Sequence, residues 1–191
     1  MCSRLLATVV AVAALLSPPL PGPPTADAAS REHPAANVSG QAPVPRAATP
    51  CFGHSPTIPG TSGDDVGSNA LRGTPGQDVI AGLSGNDEIY GLSGNDLICG
   101  GGGSDIIYGG GGADRISGGP GNDRIYGGEA NDSISSGGGK DYACGQGGDD
   151  DLTVVDLRPG DTVNGGPAHD SCTADVGDHL VDCEAKHIRR S

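Results

Sequence analysis

The chain has 191 residues, 35 of them glycine, with one Phe, no Trp and only 35% hydrophobic residues. So few large apolar side chains exclude a conventional compact core. A formal net charge of −13 argues against nucleic acid as a partner, because binding it calls for a basic surface.

Residues 1–29 read as an export signal. Arg4 supplies the positive start, Leu5 to Leu16 an apolar run, and Ala26-Asp27-Ala28 a small-residue cleavage site. The apolar run is too short to span a bilayer, so no membrane span is expected in the mature form, and the protein is expected to be secreted and extracellular. Residues 30–50 are rich in Ala and Pro without periodicity and read as a disordered linker. The sequon Asn37-Val38-Ser39 within it is short enough to be a chance match. Cys2 leaves with the signal, so Cys51, Cys99, Cys144, Cys172 and Cys183 remain, in a compartment that permits disulfides.

Residues 51–59 read as an N-terminal cap, with Thr57-Ile58-Pro59 as a first short strand. An irregular repeat follows at 60–72, with Asp65 at its aspartate position and four extra residues before Leu71. Regular nonapeptides then run over 73–153. Asp78, Asp87, Asp96, Asp105, Asp114, Asp123, Asp132, Asp141 and Asp150 recur at an unbroken nine-residue interval. The clearest copy is Gly118-Gly119-Pro120-Gly121-Asn122-Asp123-Arg124-Ile125-Tyr126. Glycines allow a tight turn that ends on a carboxylate. An aliphatic residue follows two positions later, from Ile80 to Ile134 and then Ala143 and Leu152, and predicts a three-residue strand with its middle side chain inward. Residues 154–191 read as degenerate repeats and a C-terminal cap. Asp161 and Asp170 keep the aspartate position there, and Lys186 to Ser191 form a basic tail.

A hard divalent cation wants six to eight oxygens from carboxylates and carbonyls on a chain that can wrap it. One Asp per glycine-rich turn meets that need, and Asn or Ser would serve if the turn alone mattered. Over roughly residues 60–153 the pattern resembles the RTX (hemolysin-type) calcium-binding repeat. The resemblance implies an all-β, right-handed parallel β-roll, a nonapeptide solenoid with two repeats per turn. It implies Ca2+ between turns, held by each Asp and the Asp two repeats later. The implied pairs are Asp78–Asp96, Asp87–Asp105, Asp96–Asp114, Asp105–Asp123, Asp114–Asp132, Asp123–Asp141 and Asp132–Asp150, with Asp65–Asp87 as a further pair. About seven or eight ions follow. The implied carbonyl donors are Gly76, Gly85, Gly94, Gly101, Gly103, Gly110, Gly112, Gly119, Gly121 and Gly128. Leu83, Leu92 and Gln146 replace the second glycine of the frame, Ala130 the fourth and Ser136 the first, which should weaken the local sites without abolishing the roll. Stacked carboxylates repel without ions, and one aliphatic per nine residues is a thin core, so calcium is expected to be a condition of folding.

With two repeats per turn, Tyr90, Tyr108 and Tyr126 stack on one face, followed by Cys144. That row reads either as a ladder of rings or as a binding face for cell-wall or surface polysaccharide or a protein partner. The second reading makes the protein a structural, adhesive or carbohydrate-binding module. Cys99 and Cys144, five repeats apart, point to opposite faces and cannot pair. Cys51 with Cys99 and Cys172 with Cys183 are the favoured bridges, leaving Cys144 free or intermolecular. The sequence holds no G-x-S-x-G, H-E-x-x-H or Walker motif, and no enzyme activity is expected. His33, His54, His169, His179 and His187 are scattered through linker and caps and read as solvent-facing.

Overall fold

The computed structural model describes residues 49–189. The export signal, nearly all of the linker with its sequon, and the last two residues of the tail lie outside the described residues. Two parallel sheets form. The first orders β1 (Ile58–Pro59), β3 (Val79–Ser84), β5 (Leu97–Gly102), β7 (Arg115–Pro120), β9 (Ser133–Gly138), β11 (Asp151–Val154), β13 (Ser171–Asp175) and β15 (Ala185–Arg189). The second orders β2 (Leu71–Arg72), β4 (Glu88–Ser93), β6 (Ile106–Gly111), β8 (Arg124–Glu129), β10 (Tyr142–Gly147), β12 (Thr162–Asn164) and β14 (His179–Val181). Successive strands alternate between the sheets, so each turn of this parallel β-solenoid consumes two repeats. No α-helix occurs among the described residues, and the four-residue insertion is taken up around a 3-10 turn at Gly67–Asn69.

Register follows the period. Ile80 pairs with Ile98, Ile98 with Ile116 and Ile116 with Ile134 in one sheet; Ile89, Ile107 and Ile125 align likewise in the other. These isoleucines are 0–2% exposed and form, with Ala143, Leu152 and Val163, a core one side chain thick.

The regular strands are six residues long rather than three. Each runs on through the first glycine of the next frame, and its burial pattern shows why. The aliphatic residue and that glycine, two positions on, both face inward, as in β6 where Ile107 and Gly109 are buried. The turn proper is correspondingly short.

The second and fourth positions of the frame take left-handed backbone. At Gly121, φ is +152° and an added Cβ would lie 1.7 Å from the Gly103 carbonyl oxygen, so no other residue fits. Four departures from glycine keep that backbone: Leu83, Leu92, Ala130 and Gln146 hold φ between 74° and 80°. Each therefore carries strain of about 1–2 kcal/mol. Ala130→Gly should raise stability by on the order of 1 kcal/mol, since relief of strain exceeds the extra freedom of the unfolded glycine. Thermal melts at saturating calcium check this.

The C-terminal region continues the solenoid through the residues read as degenerate repeats and a cap. Residues 162–189 add four strands to the two sheets, and the basic tail supplies the last one, pairing Ala185 with Ser171 and Arg189 with Asp175. The repeats there read as degenerate because Asp150 and Asp161 are eleven apart. That single two-residue insertion breaks the period while the pairing continues.

Tyr90, Tyr108 and Tyr126 stack with ring centroids 5.1 Å apart and planes within 11°. Arg72 covers one end, its guanidinium 4.3 Å from the Tyr90 ring, and Tyr142 tilts against Tyr126 at the other. Disulfides join Cys51 to Cys99 and Cys172 to Cys183. Cys144 is not the spare thiol expected: it is fully buried, and no cysteine is free among the described residues.

Candidate metal centre

The turns along each edge of the solenoid place one aspartate above another. On one edge the backbone N–H of an Asp donates to Oδ1 of the Asp eighteen residues on: Asp78 to Asp96, Asp96 to Asp114, Asp114 to Asp132 and Asp132 to Asp150, all at 2.8 Å. The other edge has Asp87 to Asp105, Asp105 to Asp123 and Asp123 to Asp141 at 2.8–2.9 Å. Asp65 joins it through a 2.9 Å bond to Asp87 Oδ1, spanning the insertion. All seven regular pairs, and the eighth, are thus in contact.

The second oxygen carries the chemistry. Oδ2 of Asp87, Asp96, Asp105, Asp114, Asp123, Asp132, Asp141 and Asp150 is buried with no hydrogen-bond partner. So are Oδ2 of Asp161 and Asp170, beyond the regular repeats. A buried carboxylate oxygen without a donor is costly, and a repeated row of them calls for a cation or a proton. Burial is the main cause of a pKa raised to about 6 at Asp87, Asp96, Asp114, Asp150 and Asp161, about 7 at Asp123 and about 8 at Asp132. The donated N–H pulls each down, and neighbouring aspartates push each up again.

Asp65 and Asp78 stand apart. Asp65 Oδ2 accepts the Thr61 N–H at 2.7 Å, and Asp78 Oδ2 accepts the Thr74 N–H at 2.6 Å and its hydroxyl at 2.9 Å. These two carboxylates close their own turns, so the row of unpartnered oxygens starts at Asp87.

Carbonyl oxygens surround the unpartnered ones. A Cβ built on Gly91 would lie 2.3 Å from the Gly109 carbonyl oxygen and 2.6 Å from Asp96 Oδ2; on Gly109, 2.4 Å from Gly127 O and 2.5 Å from Asp114 Oδ2. The first glycine of the frame is therefore the residue that sequence reasoning missed. Its near-invariance from Gly73 to Gly145 was the available signal, and any side chain there would crowd the carboxylate. Ser136 is the exception, and its Oγ is also buried without a partner.

The carbonyls expected from the second and fourth positions point along the stack. Those of Gly85, Gly103 and Gly121 approach Gly103, Gly121 and Gly139; those of Gly94, Gly101, Gly110 and Gly119 approach Gly112, Gly119, Gly128 and Gly137. The Gly76 carbonyl approaches Gly94, and Gly112 and Gly128 take their places in the same rows. Residues preceding the aspartates add an outer ladder that sequence reasoning did not anticipate: Asn86, Asn95, Asn122 and Asn131 accept backbone N–H groups of the following turn at 2.7–3.0 Å.

No three His, Cys, Asp or Glu side chains form a metal cluster among the described residues. A site here would instead take two carboxylates from adjacent turns and its other oxygens from backbone carbonyls, a donor set that suits calcium and not zinc. The residues fit the ion.

Parallel solenoids with carboxylate rows along their turns define the class of protein. The family model for the RTX calcium-binding nonapeptide repeat matches residues 59–98, 72–107, 100–125, 108–143 and 117–152. Over residues 59–152 the chain belongs to that family, and its repeats are calcium-binding repeats. No curated protein and no solved structure matches the chain.

Proposed function

We propose that the protein is a secreted calcium-binding roll, without catalysis of its own, that folds as it takes up several ions along its two aspartate rows. The observation that carries this reading is the run of buried Oδ2 atoms with no partner, most of them beside a carbonyl oxygen. Calcium supplies the positive charge that these oxygens lack. About seven such ions, the number of regular Asp pairs, would nearly offset the formal charge of −13.

Secretion is supported by the apolar N-terminal run with its cleavage site and by two disulfides, which persist in oxidising compartments. No helix among the described residues is long and apolar enough to cross a membrane. We read the tyrosine row as a ladder rather than a binding face, because its rings contact one another and Arg72 covers its end. Equilibrium dialysis of the mature chain against millimolar Ca2+ tests the reading. Several ions per chain, not displaced by equal Mg2+, are expected; uptake no greater than that of an unrelated acidic protein would refute it.

A further inference from the structure

Residues 165–173 lie beyond the matched repeats, yet read Gly-Gly-Pro-Ala-His-Asp-Ser-Cys-Thr, the frame of residues 118–126 with Ala in place of the fourth glycine. The structure keeps the geometry as well as the letters. Gly166 and Ala168 both hold positive φ, at 116° and 120°. The Asp150 N–H donates to Asp170 Oδ1 at 2.9 Å, continuing the row through Asp114, Asp132 and Asp150. Asp170 is 1% exposed, and its Oδ2 has no partner.

The inward glycine is kept too. A Cβ on Gly145 would lie 2.1 Å from Asp150 Oδ2 and 2.6 Å from the Gly165 carbonyl oxygen. One on Gly165 would lie 2.6 Å from Asp170 Oδ2 and 2.3 Å from the Asp182 carbonyl oxygen. Paired oxygens thus meet at this rung as they do at Asp96 and Asp114.

The opposite edge ends differently. There Val154, fully buried, follows Thr153, which pairs with Ser135, and so takes the inward position that Ser136 has one turn earlier. Asp141 still donates its N–H to Asp161 Oδ1 at 2.8 Å there, but a valine stands where the other edge keeps Gly165. Next to it Asp178 Oδ1 accepts the N–H groups of Gly160 and Asp161, so hydrogen bonds within the chain finish that edge.

We infer that residues 165–173 are a further nonapeptide, and that Asp150 and Asp170 form a calcium site outside the matched repeats. The inference rests on the calcium reading of the regular turns. It extends that reading past a two-residue insertion that the period alone cannot cross.

Asp170→Asn tests it. The amide keeps the Oδ1 acceptor for the Asp150 N–H and replaces only the unpartnered oxygen. Calorimetric titration of the full mature chain with Ca2+ should show about one ion fewer per chain, with the remaining events retained. An unchanged ion count in the variant, with the wild type still binding calcium, overturns this inference alone. A wild type that binds no calcium overturns the reading beneath it.

Should the variant not fold, crystals of the calcium-loaded wild type answer the same question. An anomalous difference peak between the Asp150 and Asp170 carboxylates supports the site. Peaks at earlier pairs with none here sink it.

Discussion

In EDTA at neutral pH the mature chain should give the circular dichroism of an unfolded polypeptide, and millimolar Ca2+ should convert it cooperatively to β-structure. The physical reason is the spacing of its charges. Strands in a sheet lie about 4.8 Å apart, and two ionised carboxylates at that distance repel by on the order of 3 kcal/mol at an effective dielectric of 20. Seven such pairs would exceed the roughly 5–15 kcal/mol that stabilises an ordinary domain. A core of one isoleucine per repeat has little to set against them. Each ion bound at a hundred times its dissociation constant would restore about 2.7 kcal/mol, and the effect multiplies along the rows. Mg2+ should substitute poorly, because it holds its waters and demands compact octahedral geometry. A chelated chain that already melts cooperatively with the calcium-loaded spectrum would contradict the argument.

Acidification should act in opposite directions on the two forms. Asp87, Asp96, Asp114, Asp123, Asp132 and Asp150 have folded-state values of about 6 to 8, above the ordinary 3.8. Between those values the ion-free fold binds more protons than the unfolded chain, so its stability rises as pH falls from 8 toward 4 and is lost as pH rises again. Calcium needs the ionised carboxylates, so protons compete with it over the same interval. In EDTA, lowering pH from 8 to 4.5 should increase β-structure; in calcium it should weaken binding by at least tenfold. Parallel pH titrations followed by circular dichroism and calorimetry check both signs. If acid destabilised the ion-free chain, the carboxylates would not be buried as described.

Much of this was legible in the sequence because the nine-residue period, joined to the two-repeat turn that the family resemblance implies, assigns both the sheet register and the partner of every regular aspartate. The pairing of Ile98 with Ile116, and the contact of Asp96 with Asp114, follow from that period once two repeats make a turn. Three features were not legible. Strand length was underestimated because glycine gives no hydrophobic signal, although Gly91 and Gly109 are as inward as their isoleucines. The Thr61 and Thr74 contacts that engage Asp65 and Asp78 depend on second positions outside the left-handed region, which the letters do not announce. The full extent of the final turns was obscured by one insertion, which shifts Asp161 and Asp170 by two residues without breaking the hydrogen-bonded rows.

The central claim is that the unpartnered carboxylate oxygens are cation ligands, and Asp114→Asn tests it most directly. Asp114 stands mid-row, taking the Asp96 N–H and giving its own to Asp132. Asparagine keeps the accepting oxygen but turns Oδ2 into a buried donor that repels a cation and adds no charge to the ion-free fold. Calorimetric titration with Ca2+, beside melts in EDTA at pH 7.5, should show at least tenfold weaker binding with lost cooperativity, and an ion-free variant no less stable than the wild type. Calcium binding equal to that of the wild type would contradict the account, and would leave the aspartates as turn residues only.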